Sequence, residues 1–164
     1  MSLSSSFIGE LQHESKLTEK ILSVVPIEKA AWKPHEKSMS LGRLATHIAE
    51  TAHWIKEIGT ADAFDFALRP YNPRVAVSKE ELMDIFHQNN AEAIAALEKM
   101  TDADFEKTWT VKSGEQIMMQ PLKKIAIRGW AFNHLYHHRG QLSVYLRLLD
   151  VPVPGMYGPS ADER

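Results

Sequence analysis

Leu3, Phe7, Leu11, Thr18, Leu22 and Val25 recur at helical spacing, which predicts an amphipathic helix over about residues 4 to 25, ended by Pro26. A linker with Trp32, Pro34 and His35 follows. Ser38 or Ser40 can cap a second helix with Leu44, Ile48, Thr51, Trp54, Ile55 and Ile58 on one face and Gly59 as its stop. Residues 60–77, with Pro70 and Pro73, show no sustained period and read as a long connection. Ser78 and Glu81 have the capping-box spacing and open a third helix, with Leu82, Ile85, Phe86, Ala93, Leu97 and Met100 inward. Trp109–Val111 and Ile117–Met119 flank Lys112-Ser113-Gly114-Glu115 and predict a short β-hairpin. A fourth helix begins at Pro121, a good first helical residue, and runs to about Leu149, where Val151-Pro152-Val153-Pro154-Gly155 breaks it.

Four amphipathic helices in 164 residues predict a single all-α domain over residues 1–164, a four-helix bundle with long connections and that hairpin between helices three and four. Hydrophobic residues make up 44% and charged residues 24% of the chain, as in ordinary globular proteins, and no apolar run is long enough to span a membrane. The amino terminus lacks the basic and apolar regions of a secretory signal, so a cytoplasmic location is expected. A net charge of -2 with mixed signs offers no basic face for nucleic acid. With no cysteine, disulfides, thiolate nucleophiles and Cys-rich zinc sites are excluded, and any metal must rest on His, Asp or Glu.

His134 and His138 are four residues apart in the fourth helix, so their rings point to one place on one face. On a helical wheel with His134 at zero, His138 falls near +40°, and Ile127, Ala131, Leu142, Tyr145 and Leu149 fall between about +20° and +80°. His137 lies at the edge of that stripe. With His47 at zero on helix two, Leu44, Thr51, Ile55 and Ile58 fall between about +20° and +80°, so His47 is inward and His53 is on the outer face. His13 and His87 fall off their buried stripes. A lone inward histidine is more often a hydrogen-bonded core residue than a ligand. Three in one small core are costly to bury without a common partner, which favours a metal on His47, His134 and His138.

These residues bring a resemblance with them. Leu44-Ala45-Thr46-His47-Ile48-Ala49-Glu50, paired with Asn133-His134 and His138-Arg139-Gly140-Gln141-Leu142, resembles the DinB/YfiT-like superfamily of metalloenzymes. Trp32-Lys33-Pro34 and the tail from Tyr157 to Glu163 extend the likeness over nearly the whole chain. The family is unrelated to the error-prone DNA polymerase that shares its name. The resemblance implies an up-down-down-up four-helix bundle, homodimeric assembly, and a nickel or zinc ion on three histidines, which carry over to His47, His134 and His138. Members with assigned activities are S-transferases and isomerases that use low-molecular-weight thiols such as bacillithiol, mycothiol or glutathione.

Three protein ligands leave a divalent ion an open position, the pattern of catalytic rather than structural sites. Such an ion activates water for hydrolysis or a thiol cosubstrate for sulfur transfer. The rival is a non-catalytic metal-binding or stress-related helical bundle. Candidates for catalytic work around the metal are Glu14, within the span of Phe7, Leu11 and Ile21, and Asn89, between Leu82 and Ala93. Gln141, one turn beyond His138, can line the pocket or hydrogen-bond a ligand imidazole, and Glu50 is a weaker candidate for the same work. Arg139 points away from the stripe and reads as a salt-bridge or tail-docking residue, while Gly140 would let a neighbouring element approach closely. Trp54, Trp130 and Tyr145 read as core, or alternatively as a wall for an apolar substrate.

Overall fold

The computed structural model describes residues 2–69 and 72–163; Pro70, read above as part of the long connection, lies outside them. Helix α1 spans Leu3–Ser23, and Ser2 caps it by accepting the Ser5 N–H. A short 3-10 turn, Ile27–Lys29, leads to α2, Leu41–Glu50, whose cap is Ser40, bonded to the Arg43 N–H. The predicted second helix is two: α3, His53–Thr60, starts anew after Thr51 and Ala52. The Thr51 hydroxyl bonds back to the His47 carbonyl at 2.9 Å, a bond that bends helices. Gly59 therefore sits inside α3 and is not a stop; an added Cβ would lie 3.2 Å from Met100 Sδ, so the glycine serves close packing on the end of α4.

The connection after α3 contains a strand, β1, Ala63–Asp65. Helix α4 spans Lys79–Glu98 and is capped by Ser78, as its spacing predicted, although the Glu81 carboxylate accepts from Val77 N–H. After the short α5, Asp102–Phe105, come β2, Thr110–Ser113, and β3, Gln116–Met119. These form the predicted antiparallel hairpin, turning through Gly114 at φ +59°, a left-handed conformation that glycine adopts freely. Strand β1 joins it by parallel pairing with β2, Phe64 opposite Val111. The chain is thus mostly helical with a small mixed sheet rather than all-α.

The predicted fourth helix also differs from expectation. Pro121 precedes the helix, and Leu122 is its cap; α6 covers Lys123–Ala126, a π-helical segment covers Ile127–Asn133, and α7 covers His134–Leu148. Helix α4 packs on α1, α2 and α3, while α7 packs on α2. The interior has two apolar clusters. One gathers Phe7, Ile55, Phe64, Phe105, Trp109, Ile127 and Phe132; the other gathers Ile21, Leu41, Leu44, Ile48, Leu82, Phe86, Leu142 and Leu146. Among the described residues no helix is long and apolar enough to cross a membrane.

Candidate metal centre

The α2–α7 contact brings His47 to His134 and His138. The Nε2 atoms of His47 and His134 are 3.1 Å apart, and one ligand nitrogen from each of the three rings falls within 4.8 Å of the others. Two ligands about 2.0–2.1 Å from one ion are separated by roughly 3.0–3.4 Å, so the closest pair fits a shared divalent cation. His138 is buried and the other two are half-buried. Without cysteine the chain offers a metal no thiolate ligand; three imidazoles suit zinc, nickel and neighbouring divalent metals.

The outer nitrogens show how the rings are held. His134 Nδ1 donates to the Trp130 carbonyl at 3.3 Å, and His138 Nδ1 donates to Gln141 Oε1 at 2.8 Å. Both bonds leave the Nε2 lone pair facing inward. Gln141 is itself steadied by His137 Nε2, 3.0 Å from its amide nitrogen. His47 Nδ1 instead faces Arg43 Nη2 at 3.3 Å, and the same guanidinium nitrogen donates to Glu50 Oε2 at 3.0 Å. Burial pushes the His47 pKa down to about 3, and protonation is further opposed by His138 and His134, whenever they carry a proton, and by the Arg43 guanidinium. Burial also lowers His134 and His138, against the opposing hydrogen bonds they donate to the Trp130 carbonyl and to Gln141 Oε1. All three rings are therefore neutral at pH 7, the state a metal ligand needs.

A cavity of about 380 Å³ opens beside His47, with Trp54, Phe64, Phe66 and Asn89 among its walls and Arg69 and Arg74 also lining it. Asn89 donates to the Ile85 carbonyl at 2.8 Å and to the Ala49 carbonyl at 3.4 Å, which fixes its amide beside α2. His53, expected outside, is half-buried and lines the same cavity, with its Nε2 3.2 Å from Glu57 Oε1. Trp54 is half-buried, packed edge-to-face on Trp130 at 4.7 Å and on Phe64 at 5.1 Å.

Glu14 is buried away from the imidazoles' hydrogen bonds. Its Oε2 meets Arg139 Nη2 at 2.6 Å and accepts from the Tyr157 hydroxyl at 2.9 Å. Arg139 is only 3% exposed, so it does not point outward: it also donates to Thr18 Oγ1 at 3.1 Å, since α7 is covered by α1 and the tail on the side away from α2. It is at once a salt-bridge and a tail-docking residue. Arg147 and Lys20 hold the same tail through Asp162 at 2.6 Å and Glu163 at 2.9 Å. Gly140 is exposed and an added Cβ would meet nothing, so no element approaches there. The close approach is at Gly42, where a Cβ would lie 2.7 Å from Ala30 Cβ.

Arg43 and the cavity residues Phe64, Phe66, Arg69 and Arg74 were not among the expected site residues. Arg43 is four positions before His47, a spacing that places it on the same helical face. The others belong to a segment whose strand is visible only through its distant partner, β2.

The chain is a mostly helical protein whose three convergent imidazoles could hold a metal ion. The DinB family profile matches residues 1–164, and the chain belongs to the DinB family. It is 26% identical over 158 residues to the uncharacterized protein YrdA of Bacillus subtilis, covering 96% of this chain and 89% of that one. The crystal structure of a DinB-like protein from Bacillus cereus superposes with a TM-score of 0.71 at 25% identity, covering 93% of this chain and 97% of the other. A second DinB-like protein, YjoA of Bacillus subtilis, gives a TM-score of 0.72 at 17% identity over 92% of this chain and 97% of its own, a likeness of fold.

Proposed function

We propose that the protein is a divalent-metal-dependent enzyme with His47, His134 and His138 as ligands and nickel or zinc as the ion. The observation that carries this reading is the convergence of three neutral imidazoles beside an open cavity. When bound, such an ion lowers the pKa of a coordinated thiol or water and supplies a nucleophile at neutral pH, for S-transfer or for hydrolysis. The chain has no sulfur nucleophile of its own, so S-transfer draws on a low-molecular-weight thiol. Gln141 and the Trp130 carbonyl orient His138 and His134. Asn89 lies where it can hydrogen-bond a substrate in the cavity. Glu14 acts at a distance, by fixing α7 through Arg139. The same reading takes α1, α2 with α3, α4, and α6 with α7 as the four rods of an up-down-down-up bundle, in a cytoplasmic homodimer.

Metal analysis by plasma mass spectrometry on untagged protein tests this. The expected result is about one equivalent of one divalent metal in the wild type, lost in His134→Ala and His138→Ala. Cobalt-substituted protein should then show a thiolate charge-transfer band on addition of a small thiol. No metal uptake after incubation with zinc and nickel would leave the three histidines as a polar core network. Uptake without ligand-accessible spectral change would leave a closed, non-catalytic site.

A further inference from the structure

We infer, building on the metal-enzyme reading above, that the cavity beside His47 takes a small substrate with an aromatic or otherwise apolar body and one anionic group. The body would lie on the Trp54, Phe64 and Phe66 side, and the anion on Arg69 and Arg74.

The apolar half of the argument is the wall. Phe64 stands edge-to-face to Trp54 at 5.1 Å and to Phe66 at 5.0 Å, so three rings present a continuous surface to the cavity. A space of about 380 Å³ suits a small organic molecule rather than a polymer. Strand β1 carries Phe64 and is pinned to β2, so the wall is preformed and costs the substrate little ordering.

The charged half is the distribution of guanidinium groups. Arg74 Nε donates to Glu50 Oε1 at 3.2 Å, and Arg69 Nη1 to Glu57 Oε2 at 2.5 Å. Each arginine has five N–H donors, and each uses one on these carboxylates while remaining about half exposed, at 56% and 49% of the side chain. Among the described residues Glu50 is the sole carboxylate lining the cavity, and it also accepts from Arg43. With Glu57, the partner of Arg69, counted as well, three guanidinium groups (Arg43, Arg69 and Arg74) face two carboxylates (Glu50 and Glu57), a net charge of +1. A cationic substrate is disfavoured, and a carboxylate or phosphate can add bidentate bonds without breaking the existing pairs. Arg69 also stacks on Phe64 with its guanidinium carbon 4.2 Å from the ring centre, which ties the two halves together.

Calorimetric titration of 3-phenylpropionate, 3-phenylpropanamide and 3-phenylpropylamine, on chelator-stripped and on zinc-loaded protein, tests the inference. The acid should bind at least tenfold more tightly than the amide on both forms, with the amine weakest. Arg69→Gln combined with Arg74→Gln should bring the acid to the level of the amide, and Phe66→Ser should weaken acid and amide alike. Equal binding of acid and amide by the wild type, no binding of any of the three at millimolar concentration, or discrimination that survives the double substitution would overturn it. Discrimination confined to the zinc-loaded form would also overturn it, by assigning the anion to the metal. Zinc uptake is read separately, so failure of the metal site and failure of the anion site are distinct results.

Discussion

His47 Nε2 and His134 Nε2 lie 3.1 Å apart although 87 positions separate them in the chain. An ion held at that junction cross-links α2 to α7 in the folded state alone. Zinc at about a hundred times its dissociation constant should stabilise the wild type by about 2.7 kcal/mol, which is roughly 5–10 °C in melting temperature for a chain of this size. His47→Ala and His138→Ala should lose that increment. Scanning calorimetry with and without zinc decides it; an equal shift in the variants would place the ion elsewhere.

Gln141 touches the site only through the His138 ring, at 2.8 Å. Removing such an orienting partner typically weakens metal binding about 10–100-fold, so Gln141→Ala should lose zinc to a competing chelator at correspondingly lower chelator concentration while melting normally. Unchanged affinity would show that the amide merely rests against the ring.

The buried pair of Arg139 and Glu14, with side chains 3% and 7% exposed, should be costly to break from one side. Arg139→Leu leaves an uncompensated carboxylate and is expected to lower stability by about 3–5 kcal/mol in urea titrations. Adding Glu14→Leu should restore a large part of it. If the double variant were no better than the single one, packing rather than charge would explain the loss.

Two glycines should respond oppositely to alanine. Gly42→Ala forces a methyl against Ala30 Cβ at 2.7 Å and Val75 Cγ1 at 2.8 Å and should cost about 1–3 kcal/mol. Gly140→Ala, exposed in α7 with open space around it, should stabilise by up to about 1 kcal/mol through helix propensity. Chemical denaturation of the pair reads both.

Acid should weaken the metal-free fold through the histidines. Their folded pKa values lie below the ordinary value of 6.5, that of His47 at about 3, so below pH 6.5 the unfolded chain binds protons that the folded chain refuses. Stability therefore falls as pH drops from about 6.5 towards 3, and is retained above that window. His47→Gln should flatten the fall between pH 7 and 5, measured as urea midpoints; an unaltered slope would assign the acid response to the carboxylates.

The features visible in the sequence were those fixed by neighbours along the chain. Ser40 and Ser78 cap the helices their spacing marked, Gly114 turns the hairpin, and the three histidines lie on the inward faces of wheels that run from α2 into α3 and from the π-helical segment into α7. What escaped depends on distant partners or on backbone choices without a local marker. Strand β1 exists because Phe64 pairs opposite Val111, 47 positions later by their numbers. The break after Glu50 carries neither proline nor glycine. Arg139 looked solvent-facing because the wheel knew of one covering surface, whereas α1 supplies a second.

The π-helical stretch from Ile127 to Asn133 sets the two halves of one rod at different rotations. Within it, Ile127, Ala131 and Phe132 turn into the aromatic end of the interior; beyond it, His134 and His138 turn towards α2. A single residue inserted or deleted between Lys123 and His134 would leave both halves helical yet rotate one against the other by about 100°. This stretch is therefore constrained in length as well as in composition.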